Sequence, residues 1–162
     1  MFVFYFILFC LLLIVIFWYK RPPENPVFKT QLLTEKQENI TLKDLKDNVV
    51  LVSYFQSWCG DCRRELPEIT ALQKVAGGSD FLKIILISDE SWDKINIVKN
   101  IANNPDILFL QSQESLKSIG IRRFPTTYLL DKDGKAMKAE TEGIYWNTSE
   151  NIQLINQLNQ QE

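Results

Sequence analysis

The run VVLVSYF, Val49 to Phe55, is apolar, β-branched or aromatic at every position but Ser53. It lacks the alternation of a half-exposed strand and reads as a strand buried on both faces. FLKIILI, Phe81 to Ile87, is a second such run. Between them Leu66, Ile69, Leu72 and Ala76 recur at helical spacing until Gly77-Gly78 ends the element. Strands buried on both faces must be covered by other elements, so the pattern constrains the chain to a layered α/β fold.

The rest of the chain extends that alternation. SWDKINIVKNIANN is amphipathic, with Trp92, Ile95, Val98 and Ile101 or Ala102 on one face, and Asn104-Pro105 stops it. DILFL gives a third strand, Glu114–Ser118 a short helix closed by Gly120, and TTYLL a fourth strand. DKDG, Asp131 to Gly134, reads as a hairpin turn into a fifth strand near Lys135–Glu142. Asn147–Gln160 is a terminal helix with Ile152, Ile155 and Leu158 inward and Thr148 or Ser149 as its cap. The expected class is α/β, a central mixed sheet flanked by helices, over residues 29–162.

The first residues are a separate matter. FVFYFILFCLLLIVIFWY, Phe2 to Tyr19, is unbroken apolar and aromatic sequence of about the minimum length for a bilayer span. Trp18 and Tyr19 suit a membrane interface, and Lys20 and Arg21 follow. A cleaved signal peptide would want a basic start, a shorter apolar core and small residues at a cleavage site, and none is present. Cys10 reads as a small apolar residue within the span. The expected organisation is a transmembrane anchor over 1–20 in contact with the lipid bilayer, a proline-rich tether over 21–28 with Pro22, Pro23 and Pro26, and the domain. Lys20 and Arg21 alone would leave that domain in the cytoplasm. A dedicated anchor and tether make more sense outside it, and an extracytoplasmic domain is expected.

Composition removes several functions. The chain has 162 residues, a formal charge of −2 and no histidine. Nothing marks a nucleic-acid partner, and Ser-His, Cys-His and histidine-metal chemistry are excluded within the chain. Asn39-Ile40-Thr41 and Asn147-Thr148-Ser149 match glycosylation acceptors, which matter only in a eukaryotic secretory setting.

Cys59 and Cys62 carry the chemistry. Cys59 follows a buried strand where the next helix begins, so its thiol meets the helix's positive end and unpaired N–H groups, which favour the thiolate. Cys62 is one turn on, within reach of a disulfide, and Trp58 can shield the pair from water. The arrangement suits exchange in which Cys59 attacks, a mixed disulfide forms and Cys62 resolves it. A zinc site would need ligands the chain lacks; an inert disulfide or two packed thiols remains the bland alternative.

VVLVSYFQSWCGDCRRELPEI resembles the active-site segment of the thioredoxin superfamily, in particular its TlpA/ResA-like membrane-anchored branch. IGIRRFPTTYLLDKDGK is similar to that branch's second signature, and ITLKDLKDN to the segment before its first central strand. The resemblance implies that Cys59 is the exposed nucleophile, Cys62 the buried resolving thiol and Pro125 a cis-proline facing them. Phe124 and Pro125, with Trp58, would hold an extended client segment, and the cis-proline would keep metal from the cysteines. Pro67 would kink the active-site helix. Glu65 falls where some members place an acid that tunes the cysteines, though it also reads as a solvated first-turn glutamate. Asp61, between the cysteines where thioredoxins have proline, should raise the thiol pKa values and bias the pair toward a reducing potential unless Arg63 and Arg64 cancel it. The family's buried acid beneath the site is replaced by Ser53, leaving Glu65 as the only obvious substitute.

The resulting expectation is a membrane-tethered thiol–disulfide oxidoreductase reducing client proteins. It would need no dissociable cofactor beyond the Cys59–Cys62 disulfide, and would draw electrons from a membrane donor protein. In the resembling branch, preparation of apocytochromes for haem attachment is one such task. A binding module with vestigial cysteines and a disulfide-donating oxidase are the rival readings. Copper delivery on this fold needs a histidine, and peroxiredoxin chemistry needs a threonine shortly before a lone cysteine; neither pattern occurs.

Overall fold

The computed structural model describes residues 5–6, 9–11, 30–45, 47–78, 80–141, 143 and 145–160. Most of the apolar segment 2–19 and all of the tether 21–28 lie outside them. Among the described residues no helix is long and apolar enough to cross a membrane.

Seven strands form one mixed sheet, in the order β2-β1-β5-β4-β3-β6-β7. They are β1 (Leu32–Leu33), β2 (Asn39–Ile40), β3 (Val50–Tyr54), β4 (Lys83–Ser88), β5 (Ile107–Ser112), β6 (Thr126–Leu130) and β7 (Ala136–Thr141). The expected central runs are β3 and β4. They pair in parallel, Val50 against Lys83 through Tyr54 against Ile87, and β4 pairs in parallel with β5. β3 is flanked on its other edge by antiparallel β6, so every β3 residue is buried. The DKDG turn closes as expected: Gly134 N–H donates to the Asp131 carbonyl, and Asp131 N–H to that of Lys135.

Three helices cover one face: α1 (Gly60–Val75), α2 (Trp92–Ala102) and α3 (Ser149–Gln160). Leu66, Ile69 and Leu72 of α1, Ile95 and Val98 of α2, and Ile155 and Leu158 of α3 share one core with Leu51, Leu86, Phe109 and Leu129 of the sheet. Ala102 joins that core at its edge, while Ile101 is exposed. Thr148 caps α3, its Oγ1 accepting from Asn151 N–H. Gly77 ends α1 with φ +99°, and a Cβ there would lie 2.8 Å from the Phe81 ring; glycine satisfies both the backbone and the packing.

The opposite face holds a second core of Val50, Val52, Tyr54, Ile85, Ile87, Tyr128 and Leu130. Among the described residues no α-helix contributes to it, and Leu45 of a short 3-10 turn packs against it. Leu116 and Ile121 lie over it instead, both fully buried. The short helix expected at Glu114–Ser118 is a series of turns, with Ile121 N–H returning to the Leu116 carbonyl. The β1–β2 hairpin, unexpected from the sequence, pairs antiparallel onto β5 and is tied to α2 by a Lys99–Glu35 ion pair. A 3-10 turn, Leu42–Leu45, leads from it toward β3.

Candidate active site

β3 ends at Tyr54, and the chain turns through Gln56–Trp58 before α1 starts at Gly60. That turn is anchored by two acids. Asp89 accepts from Gln56 Nε2 at 2.6 Å, and Glu90 accepts from both the Ser57 hydroxyl and backbone N–H. Cys59 is the N-cap of α1, and its sulfur accepts from Cys62 N–H at 3.1 Å. The expected thiol–helix geometry is therefore present: one sulfur sits on the open N–H groups of the first turn.

Cys59 and Cys62 form a disulfide with Cα atoms 5.3 Å apart. In this oxidised state both are buried, 6% and 3% exposed, with Cys59 the more accessible. The Phe124–Pro125 peptide is cis. Trp58 is 69% exposed and meets Phe124 edge to face at 6.0 Å between ring centres. The expected shield over the thiols is thus an outward aromatic wall beside them.

The two acids near the cysteines have opposite surroundings. Asp61 is half exposed and paired with Arg64 one turn on, so the cancellation anticipated from the neighbouring arginines falls to Arg64. Glu65 is 5% exposed. A solvated first-turn role does not fit that burial. α1 runs through Pro67, and its buried side is Cys62, Glu65, Leu66, Ile69, Leu72 and Gln73, so Glu65 lies on the stripe that faces the sheet.

Below Glu65 are Ser53 of β3 and Thr127 of β6, cross-strand partners whose hydroxyls lie 2.8 Å apart. Each also reaches the carboxyl, Ser53 at 3.5 Å and Thr127 at 3.4 Å. Desolvation raises the Glu65 pKa to about 7, and Trp146, Thr127 and Ser53 pull against that rise. The Trp146 indole N–H faces the carboxyl without reaching hydrogen-bond geometry. Ser53 is therefore more than a lost acid, and Thr127 and Trp146 join the site with no motif in the sequence to mark them. The β3–β6 register pairs the two hydroxyls, but Trp146 follows β7 in an irregular segment with no periodic pattern to mark it.

A cavity of about 670 Å³ opens beside Glu65, lined also by Asp61, Arg64, Pro67, Glu68, Gly143 and Tyr145. Glu65 stands in its wall, although the residue is buried. The arrangement can therefore hold a thiolate at Cys59, a second thiol at Cys62, and a proton acceptor one turn beyond on the same helical face.

The Redoxin family model matches residues 23–154. Thiol-disulfide oxidoreductase ResA of Bacillus thuringiensis subsp. konkukian (strain 97-27) is 30% identical over 116 residues, covering 71% of this chain and 66% of that protein. Thioredoxin-like protein YneN of Bacillus subtilis (strain 168) is 31% identical over 107 residues, covering 64% of this chain and 62% of that protein. The matched stretch thus spans about two thirds of these relatives' length. Among solved structures, the exposed lipoprotein thioredoxin Etrx1 of Streptococcus pneumoniae strain TIGR4 has a TM-score of 0.58 at 20% identity, covering 78% of this chain and 97% of that one. On the family match and on a thioredoxin-like sheet followed by a Cys-Gly-Asp-Cys pair whose Cys59 caps α1, the chain belongs to the Redoxin family.

Proposed function

We propose that the protein is a membrane-tethered thiol–disulfide oxidoreductase that reduces disulfides in client proteins. The observation that carries the reading is the Cys59–Cys62 disulfide closed over the first turn of α1, where the helix end stabilises a thiolate. The names of the relatives, a thiol-disulfide oxidoreductase and a thioredoxin-like protein, support the same chemistry.

In the reduced protein the Cys59 thiolate attacks one sulfur of a client disulfide. The Cys59–client bond forms, the client S–S bond breaks, and the leaving sulfur takes a proton from solvent. Cys62 then gives its proton to the Glu65 carboxylate and attacks Cys59. The client's second sulfur leaves and is protonated, so the client gains two electrons and two protons while the protein becomes the disulfide. A membrane thiol donor returns the electrons. Trp58, Phe124 and Pro125 form the surface on which an extended client segment rests. Asp61 and Glu65 tune the thiols, Asp61 through space and Glu65 by proton exchange. No dissociable cofactor takes part. The apolar segment 2–19 anchors the domain on the extracytoplasmic side, and apocytochromes awaiting haem are one class of client.

The test is trapping. Cys62→Ser removes the resolving thiol, so clients should accumulate as mixed disulfides on Cys59, released by reductant and absent in Cys59→Ser. A Cys59→Ser protein that keeps every partner and phenotype would make this a binding module instead.

A further inference from the structure

The groups around Glu65 differ in what they can do for its two protonation states. Ser53 and Thr127 carry hydroxyls, which both donate and accept. Joined to each other at 2.8 Å, they can turn one way to accept a hydrogen bond from the neutral acid and the other way to donate one to the carboxylate. An indole N–H only donates. Trp146 is fully buried, and its Nε1 has no hydrogen-bond partner. An unpaired donor in the interior is costly unless some state of the molecule uses it.

Trp146 is also held firmly. Asn151 Nδ2 donates to its carbonyl at 2.9 Å, and Lys138 Nζ, bonded to Asn151 Oδ1, stands 5.8 Å from its ring centre. The backbone at Trp146 is anchored by that bond, and its ring is packed fully inside the core.

We propose that Trp146 is a positioning residue for proton transfer at the dithiol: its indole N–H receives the Glu65 carboxylate whenever Glu65 stands ready to take the Cys62 proton. The hydroxyls of Ser53 and Thr127 serve both forms, whereas Trp146 favours the base alone. The inference rests on the oxidoreductase reading for its purpose but not for its test.

Other ionisable groups near the carboxyl are accounted for. Asp61 and Arg64 are paired on the rim, Glu68 and Tyr145 line the adjacent cavity, Glu140 is the cross-strand neighbour of Thr127, and Lys138 lies beside the indole. Cys62 precedes Glu65 by one turn on α1. In the oxidised protein, where Cys62 is held in the disulfide, none of them is a neutral donor aimed at Glu65 from within the core.

The experiment is an NMR pH titration of the full-length, oxidised chain in detergent. It follows the Glu65 carboxyl carbon and the Trp146 indole N–H together. In the native protein the indole resonance should shift with the Glu65 midpoint, and Glu65→Gln should abolish that shift. Trp146→Phe, which keeps an aromatic ring but no donor, should raise the Glu65 midpoint by about one pH unit, the effect of losing one hydrogen bond to a charged group. The pH profile for resolution of a mixed disulfide on Cys59 should move up equally, with its high-pH plateau retained. An indole signal indifferent to the Glu65 titration in the native protein would overturn the proposal, even if Trp146→Phe fails to fold. A midpoint unmoved in a folded Trp146→Phe protein would overturn it as well. Failure of the dithiol to turn over would sink the oxidoreductase reading and leave this titration readable.

Discussion

The rim and the floor of the dithiol site each carry a carboxylate, one turn apart on α1, and the two behave as different chemical groups. At the rim, Asp61 stands in water beside Arg64. An exposed pair of this kind contributes between nothing and about 1 kcal/mol. On the floor, Glu65 faces two hydroxyls and an indole in a setting that raises its pKa to about 7. Desolvation, not the nearness of other charges, makes the difference. The acid most conspicuous in the sequence, lodged between the cysteines, is the weaker lever, and the one that looked like an ordinary helix glutamate is the stronger.

The largest effect that would break this contrast concerns stability against pH. Unfolded, Glu65 titrates near 4.5, and folded near 7. A raised folded pKa gives a contribution fully present below the unfolded value and lost as pH rises through the folded one. Stability should therefore fall by up to about 3 kcal/mol between about pH 4.5 and 7, then level off. In Glu65→Gln that slope should be absent, and urea midpoints at the two ends of the window measure it. Parallel pH profiles for the two proteins would place Glu65 in a solvated setting and remove the floor from the account.

Much of this was readable in the sequence, for reasons particular residues make clear. Val49–Phe55 and Phe81–Ile87 gave strong strand patterns because strands buried on both faces carry almost no polar positions, here only Ser53 and Lys83. The α1 stripe was legible in Leu66, Ile69 and Leu72, and the same stripe passes through Glu65. Its burial was hidden by charged neighbours, Arg63, Arg64 and Glu68, that point elsewhere. The β1–β2 hairpin escaped because two-residue strands have no period, and it turns through Gln37 at φ 65° without glycine. The turns at Glu114–Gly120 resemble a helix in composition, yet Ser118 N–H returns to the Ser115 carbonyl, Gly120 N–H to that of Lys117 and Ile121 N–H to that of Leu116, spans that do not continue an α-helix. Trp146 belonged to no pattern, and only the three-dimensional structure brings it beneath α1.

The smallest effect sharpens the contrast from the rim. Asp61→Asn frees Arg64 and removes a negative charge beside the thiols. It should change stability by under about 1 kcal/mol. It should move the dithiol midpoint toward the oxidising side by at most about 20 mV, the two-electron equivalent of that energy. Paired urea and redox titrations check both values, and a larger change would mean that the rim, not the floor, governs the thiols.

The central claim, that Cys59 and Cys62 form a reversible dithiol poised for reduction, is tested most directly by its potential. The full-length protein in detergent would be equilibrated in graded thiol–disulfide buffers, alkylated and weighed. The account predicts one two-electron transition of Cys59 and Cys62 with a midpoint near or below about −270 mV. A midpoint near about −120 mV would reverse the direction of electron flow. A Cys59–Cys62 bond that neither forms nor breaks at any poise would contradict the claim itself.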